Sequence, residues 1–221
     1  MSIIEKYTVA RSDGSSSTYE RTLYTLAELE AADHPDPRAY QRAYQEWLEG
    51  VLHYDWWEFV FEDAARAAEI LGIEIATKRG GPAIYFSGFC SQGDGACWEG
   101  SYAYAPGAHK KIREYAPTDK DLHAIADDLL AVQRRHGYGI TATSVQRGHY
   151  SHSGCMSVDV DSERTELSGD DEDTVVQALR GFADWIYKRL EAEADCLQSE
   201  EQFREWASAN DALFTEEGRL V

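Results

Sequence analysis

The chain has 221 residues, 43% of them hydrophobic, and a formal net charge of −19 at neutral pH, enough length and apolar content to bury a core of domain size. No run approaches the roughly 18 apolar residues of a membrane span, and the start, MSIIEKYTVARSDG, has neither the basic region nor the apolar stretch of a secretory signal; with four cysteines, too few for a disulfide scaffold, this points to a cytoplasmic protein holding thiols. Such acidity also argues against direct nucleic-acid binding, which draws its affinity from clustered Lys and Arg on phosphates, and favours a basic partner.

IIEKYTVA and STYERTLYTL predict two short strands joined by the turn RSDGSSS. After DHPDP, RAYQRAYQEWLEG predicts a helix ending at Gly50. DWWEFVFEDAARAAEILG predicts a second, with Asp55 as N-cap, Glu58 completing a capping box and Gly72 as the stop. Trp56 and Trp57 then anchor its first turn on the core. PAIYFSGF and ACWEGSYAY alternate as strands, and between them CSQGDG offers Gly93, Gly95 and the turn former Asp94, so the first reading is a hairpin.

GAHKKIREYA predicts a short helix. DLHAIADDLLAVQRRHG predicts a longer one with Leu122, Ile125, Leu129 and Val132 on one face, Thr118 and Asp121 as capping pair and Gly137 as the stop. YGITATSVQRG and CMSVDVDSE are strands by β-branched content, joined by GHYSHSG; in the second, Met156, Val158 and Val160 alternate with Ser157, Asp159 and Asp161. DEDTVVQALRGFADWIYKRLEAEADCLQ is a long helix whose acidic first turn suits the helix dipole, and SEEQFREWASAND a last one that Ser199 and Gln202 can cap.

The order predicts an α+β fold: an antiparallel four-stranded sheet with helices packed on one face, plus a small N-terminal hairpin and C-terminal helices. The expected organisation is a single acidic domain over 1–221, with an N-terminal addition over 1–50, a core over 51–198 and a C-terminal helix and tail over 199–221.

Charge is unevenly spread. Residues 1–77 carry 6 basic and 15 acidic groups, residues 78–158 carry 9 and 7, and residues 159–221 carry 6 and 18. The central third is thus faintly basic between acidic flanks, and it holds His109, His123, His136, His149 and His152. Three chemistries are open to it. Zinc has soft or borderline ligands in Cys90, Cys97, His149, His152 and Cys155, although Cys90 and Cys97 are seven apart where structural sites place paired ligands two to four apart. Nucleophilic catalysis has Cys155 with His152 or His149 as base and Asp94 or Glu99 to orient it. Phosphate binding by GDG is disfavoured, because the loop feeds a strand where a cradle feeds a helix. Beside these stands the plainer reading: a structural turn at CSQGDGAC and a polar loop whose histidines face solvent.

The runs IYFSGFCSQGDGACWEGSYAY, EYAPTDKDLHAIADDL and QRGHYSHSGCMSVDVD, with HYDWWEFVFEDA and LGIEI before them, resemble a family of small proteins from bacteriophages, prophages and their bacterial hosts. Some members are labelled antitoxin of a toxin–antitoxin stability system. The resemblance covers about residues 45 to 195, and the matching positions include Ser87, Gly88, Ser91, Gln92, Gly93, Asp94, Gly95, Ala96, Cys97, His149, His152, Ser153, Gly154 and Cys155. It departs at Cys90, where the family has tryptophan or serine, and at ATKRGGPA, which lengthens the link before IYFSGF; the first departure removes Cys90 from any shared metal site.

The resemblance implies no catalytic residues. With the acidic flanks, it implies an interaction protein of phage or mobile-element origin that binds and neutralises a host toxin or defence component. It would be an antitoxin-like or anti-CRISPR-like inhibitor of a basic or nucleic-acid-binding host protein, with acidic nucleic-acid mimicry as one means. Its expected contact surface is Ser91, Gln92, Gly93, Asp94, Arg147, His149, Tyr150 and His152. Two alternatives stay open: a hydrolase or transferase drawing on Cys155, His152, His149 and Asp94, and a zinc-stabilised binding module using Cys97, His149, His152 and Cys155. Apart from that zinc, no cofactor is expected.

Overall fold

The computed structural model describes residues 3–10, 12 and 14–221. In chain order the elements are β1 (Ile3–Ala10), β2 (Ser16–Leu23), α1 (Leu26–Leu29), α2 (Ala39–Val51), α3 (Glu58–Leu71), β3 (Ile73–Ile75), β4 (Thr77–Lys78), β5 (Gly81–Pro82), β6 (Ile84–Ser87), β7 (Gly95–Trp98) and β8 (Gly100–Ala103). There follow α4 (Ala108–Tyr115), α5 (Lys120–Arg135), β9 (Ile140–Gln146), a 3-10 turn (Ser153–Cys155), β10 (Met156–Ser162), α6 (Gly169–Leu197) and α7 (Glu200–Ala209). The fold is α+β, as the element order predicts. No helix among the described residues is long and apolar enough to cross a membrane.

Where the sequence suggests one domain with a C-terminal tail, the chain divides into two compact units: Met1–Trp56 with Ala194–Val221, and Trp57–Glu193. The reason is hydrophobic. In the first unit Phe203 and Phe214 are buried in one cluster with Leu26, Leu29, Ala39 and Ala43, so the C-terminal residues complete a core begun near the N-terminus. Backbone pairing of Phe214 with both Tyr24 and Leu220 fixes the return. β1 and β2 form the expected hairpin, with Ile3 opposite Leu23 and Ala10 opposite Ser16; residues 11 and 13 of its turn lie outside the described residues. α2 runs through Gly50 to Val51. Ser199 caps α7 by accepting from the Gln202 N–H at 3.2 Å, while the Gln202 side chain turns to Glu205 and leaves the capping box half made.

The second unit carries the four-stranded antiparallel sheet, in the order β10-β9-β8-β3. Its membership corrects the sequence reading. ACWEGSYAY does not run as one strand, because Glu99 changes partners: its N–H donates to the Ala83 carbonyl at 2.9 Å and its carbonyl accepts from Ala76 at 2.8 Å. Before Glu99, β7 pairs with β6; after it, β8 pairs with β3 and β9. The fourth strand of the sheet is therefore the short IEI of β3, and PAIYFSGF supplies β6 to a separate hairpin. Gly100 permits the switch, since a Cβ there would lie 2.0 Å from the Glu74 carbonyl oxygen.

Helix ends show the limits of cap reading. α5 is capped by Asp119, which accepts from the Leu122 N–H at 3.1 Å, and not by Thr118. α3 begins at Glu58 with no side-chain cap; Trp57 before it already has helical backbone angles, so Asp55 stands too far upstream. Gly72 does end α3, in the left-handed conformation. The amphipathic face of α5 is buried at Leu122, Ile125, Leu129 and Val132. The acidic start of α6 has a structural use, because Asp171 accepts from Arg135 at the C-terminal end of α5 and from His136 at 2.9 Å. These donors hold the Asp171 carboxyl well below the usual carboxylate range.

Candidate functional site

The β6/β7 hairpin sets Phe86 opposite Ala96 and Ser87 opposite Gly95, leaving residues 88–94 as its turn. One group organises that turn: Oδ2 of Asp94 accepts from the backbone N–H of Ser91 at 2.6 Å and of Cys90 at 3.0 Å. Those donors, Ser91 first, hold the Asp94 carboxyl below its ordinary value. A carboxylate pulled back onto its own turn in this way leaves the Gln92 side chain exposed at the tip. On its inner side the turn is anchored by α6, where Tyr187 donates its hydroxyl to the Gly88 carbonyl at 2.9 Å and stacks on Phe89 at 5.5 Å. Phe89 continues to Phe86, and Phe86 to Trp57 and Phe61, as a half-buried aromatic row.

The second loop, residues 147–155, leaves β9 and enters β10 through the 3-10 turn. Its closure is local: the Arg147 N–H donates to the Cys155 carbonyl at 2.8 Å, the Cys155 N–H to the His152 carbonyl at 2.9 Å, and the Gln146 side chain to the Tyr150 carbonyl at 3.2 Å. The two turns meet. A Cβ on Gly95 would fall 2.5 Å from Cβ of His152, and one on Gly93 would fall 3.5 Å from the Tyr150 ring. Sequences 50 to 60 residues apart are thereby joined into one surface, on which Ser91, Gln92, Arg147, His149 and Tyr150 are exposed and Gly93, Asp94 and His152 half-buried. All eight residues of the expected contact surface lie on these two turns.

Of the candidate chemical groups, one pair comes together: Sγ of Cys155 lies 3.3 Å from Nε2 of His152. Neither expected orienting acid serves that imidazole, because Asp94 is committed to its own turn and Glu99 is paired with Lys78. The zinc set is not assembled. Among the described residues no three of His, Cys, Asp and Glu gather as metal ligands; Cys97 is enclosed in the core while His149 is exposed on the loop. Burial pushes the Cys97 thiol up to about 12. Cys97 is accordingly expected to resist iodoacetamide at about pH 8, under conditions that alkylate the exposed Cys90 and Cys196. Peptide mass spectrometry reads this directly, and Cys97 labelling as fast as Cys90 would contradict it.

Sequence reasoning missed one contributor to the site, Tyr187, and one tie elsewhere in the same unit, His136. Tyr187 lies 99 residues from the carbonyl it binds, and nothing in the spacing of α6 singles it out. His136, read only as one of five central histidines, is 6% exposed and bridges Thr165 and Asp171 through its two ring nitrogens; the nearest signal is the basic RRH that ends its helix.

The role of Asp94 is directly testable. Asparagine presents the same acceptor oxygen, so Asp94→Asn is expected to keep the turn, whereas Asp94→Ala loses both hydrogen bonds and lowers Tm. The charge adds a pH dependence of definite sign. A carboxyl whose native pKa is depressed stabilises fully above the unfolded value near ~4 and loses that contribution as pH falls through the native one. Wild-type and Asp94→Asn melting curves should therefore converge on acidification; a difference constant with pH would refute the assignment.

A family model described as "Domain of unknown function (DUF8835)" matches residues 56–200, a span that contains both turns. No curated protein and no solved structure matches the chain.

Proposed function

We propose, from the premise that the chain belongs to the DUF8835 family, that it is an interaction protein of phage or mobile-element origin, acting in the cytoplasm to bind and neutralise a host toxin or defence component. The convergence of the two turns carries this reading. An exposed surface built from Gln92, Arg147, His149 and Tyr150 has the composition of a protein contact, in which aromatic and arginine side chains supply most of the energy. Tyr150 is the natural anchor: it is 62% exposed, beside Gly93 and 6.1 Å from the ring of His152, so a large amphipathic side chain stands open to a partner at the junction of the two turns. The partner is basic or nucleic-acid-binding. The net charge of −19, with Asp159 and Asp161 exposed on β10, favours its approach and makes binding weaken with salt.

The test is affinity for a partner captured from host lysate at low salt and then purified. Tyr150→Ala is expected to weaken that affinity at least about tenfold with Tm unchanged. Equal affinity in the variant, or no partner at low salt, would sink the reading.

The Cys155–His152 contact supports a second reading, a thiol-dependent hydrolase or transferase with His152 as base. Cys155→Ala separates the two, since contact through Gln92, Arg147 and Tyr150 survives loss of the thiol and covalent chemistry does not.

A further inference from the structure

The first unit holds a cleft of about 520 Å³, within the size range of small-ligand sites and remote in composition from the turn surface. Phe214 and Ala43, both buried, contribute apolar surface to its lining, with Trp47, Trp206 and Leu197 beside them. Tyr54 and Leu220 also line it, at 58% and 45% exposure. The two indoles are fixed. Their centroids lie 6.4 Å apart with planes inclined by 42°, and each packs on Phe203, at 5.2 Å from Trp47 and 6.2 Å from Trp206.

Charge decides what such a cleft selects. Among the described residues, Glu46 is the one charged residue in the lining, exposed and with no ion pair, and no Lys or Arg accompanies it. The surrounding unit carries 17 acidic and 7 basic residues. Of those seven, Lys6, Arg21, Arg42 and Arg204 are already engaged by carboxylates. Indole faces present negative potential, an unpaired carboxylate adds to it, and no cation competes. Neutral apolar molecules would gain from burial alone, and anions would be repelled.

We propose that this cleft binds a small organic cation, an alkyl or aryl ammonium or guanidinium compound, with its apolar body against Trp47 and Trp206 and its charged head near Glu46. This site is independent of the reading given to the two turns. Titration calorimetry of the full chain with hexyltrimethylammonium, hexanol and hexanoate tests it. Saturable binding of the cation, at least about tenfold tighter than hexanol and with hexanoate weakest, is expected. Glu46→Gln, at an exposed position that leaves the fold intact, should remove most of that preference, about tenfold in affinity, while hexanol binding stays unchanged. Trp206→Ala should weaken cation and alcohol together. Equal binding of cation and alcohol, a preference that survives Glu46→Gln, or no saturable binding by about 10 mM cation would each overturn the proposal.

Discussion

Trp98→Ala is expected to destabilise the second unit by about 4 kcal/mol, in the middle of the range for removal of a buried aromatic side chain. Trp98 is fully enclosed, sets its ring edge-on to Phe182 at 6.3 Å and donates its indole N–H to the Leu179 carbonyl at 3.2 Å. Its own carbonyl accepts from the Ser144 hydroxyl at 3.0 Å, so the residue ties the β6/β7 hairpin to both α6 and β9. Truncation leaves a cavity and removes the indole hydrogen bond to a helical carbonyl together. Trp98→Phe retains much of the volume and loses the N–H, so a cost of about 1–2 kcal/mol is expected there. Urea unfolding followed by circular dichroism measures both, and a loss under about 1 kcal/mol for the alanine variant would show that Trp98 is not the strut assigned to it.

Gly95→Val should cost about 3 kcal/mol, for a reason that composition does not disclose. Both Gly93 and Gly95 are expected from sequence to occupy conformations closed to side chains, and at Gly93 the backbone does so, with φ at +107°. Gly95 has an ordinary φ; it is needed because a side chain would strike the backbone and Cβ of His152, at 2.8 and 2.5 Å. Backbone at that distance has no rotamer through which to escape, so the 147–155 loop must lift from the hairpin. Gly93→Val meets nothing closer than the movable Tyr150 ring and pays mainly the left-handed strain of about 1–2 kcal/mol. The pair discriminates: the Gly95 variant is expected to lose partner affinity beyond its loss of stability, and equal Tm shifts in the two variants would remove the close approach as the joint between the turns.

Features that rest on near neighbours are legible along the chain. The apolar spacing of Leu122, Ile125, Leu129 and Val132 is a property of one helical turn after another, and it placed α5 and its buried face. Gly72, Gly93 and the Asp94 turn follow from backbone preferences that act over a few residues. Caps were legible only to within a residue or two, because Asp119 and Thr118 offer similar oxygens and packing chooses between them. Features that depend on partners distant in the chain emerge only on packing. β3 takes the edge of the sheet because Glu99 switches its hydrogen bonds from Ala83 to Ala76, a choice invisible in the continuous alternation of ACWEGSYAY. The C-terminal helix joins the N-terminal unit because Phe203 and Phe214 have an apolar cluster there to fill. Cys155 meets His152 through a local turn, but Gly95 meets His152 only by the fold, and that approach turns two separate polar loops into one surface. Hydrophobic burial is non-directional and names no partner; pattern therefore fixes which residues are buried, and only the packed chain fixes against what.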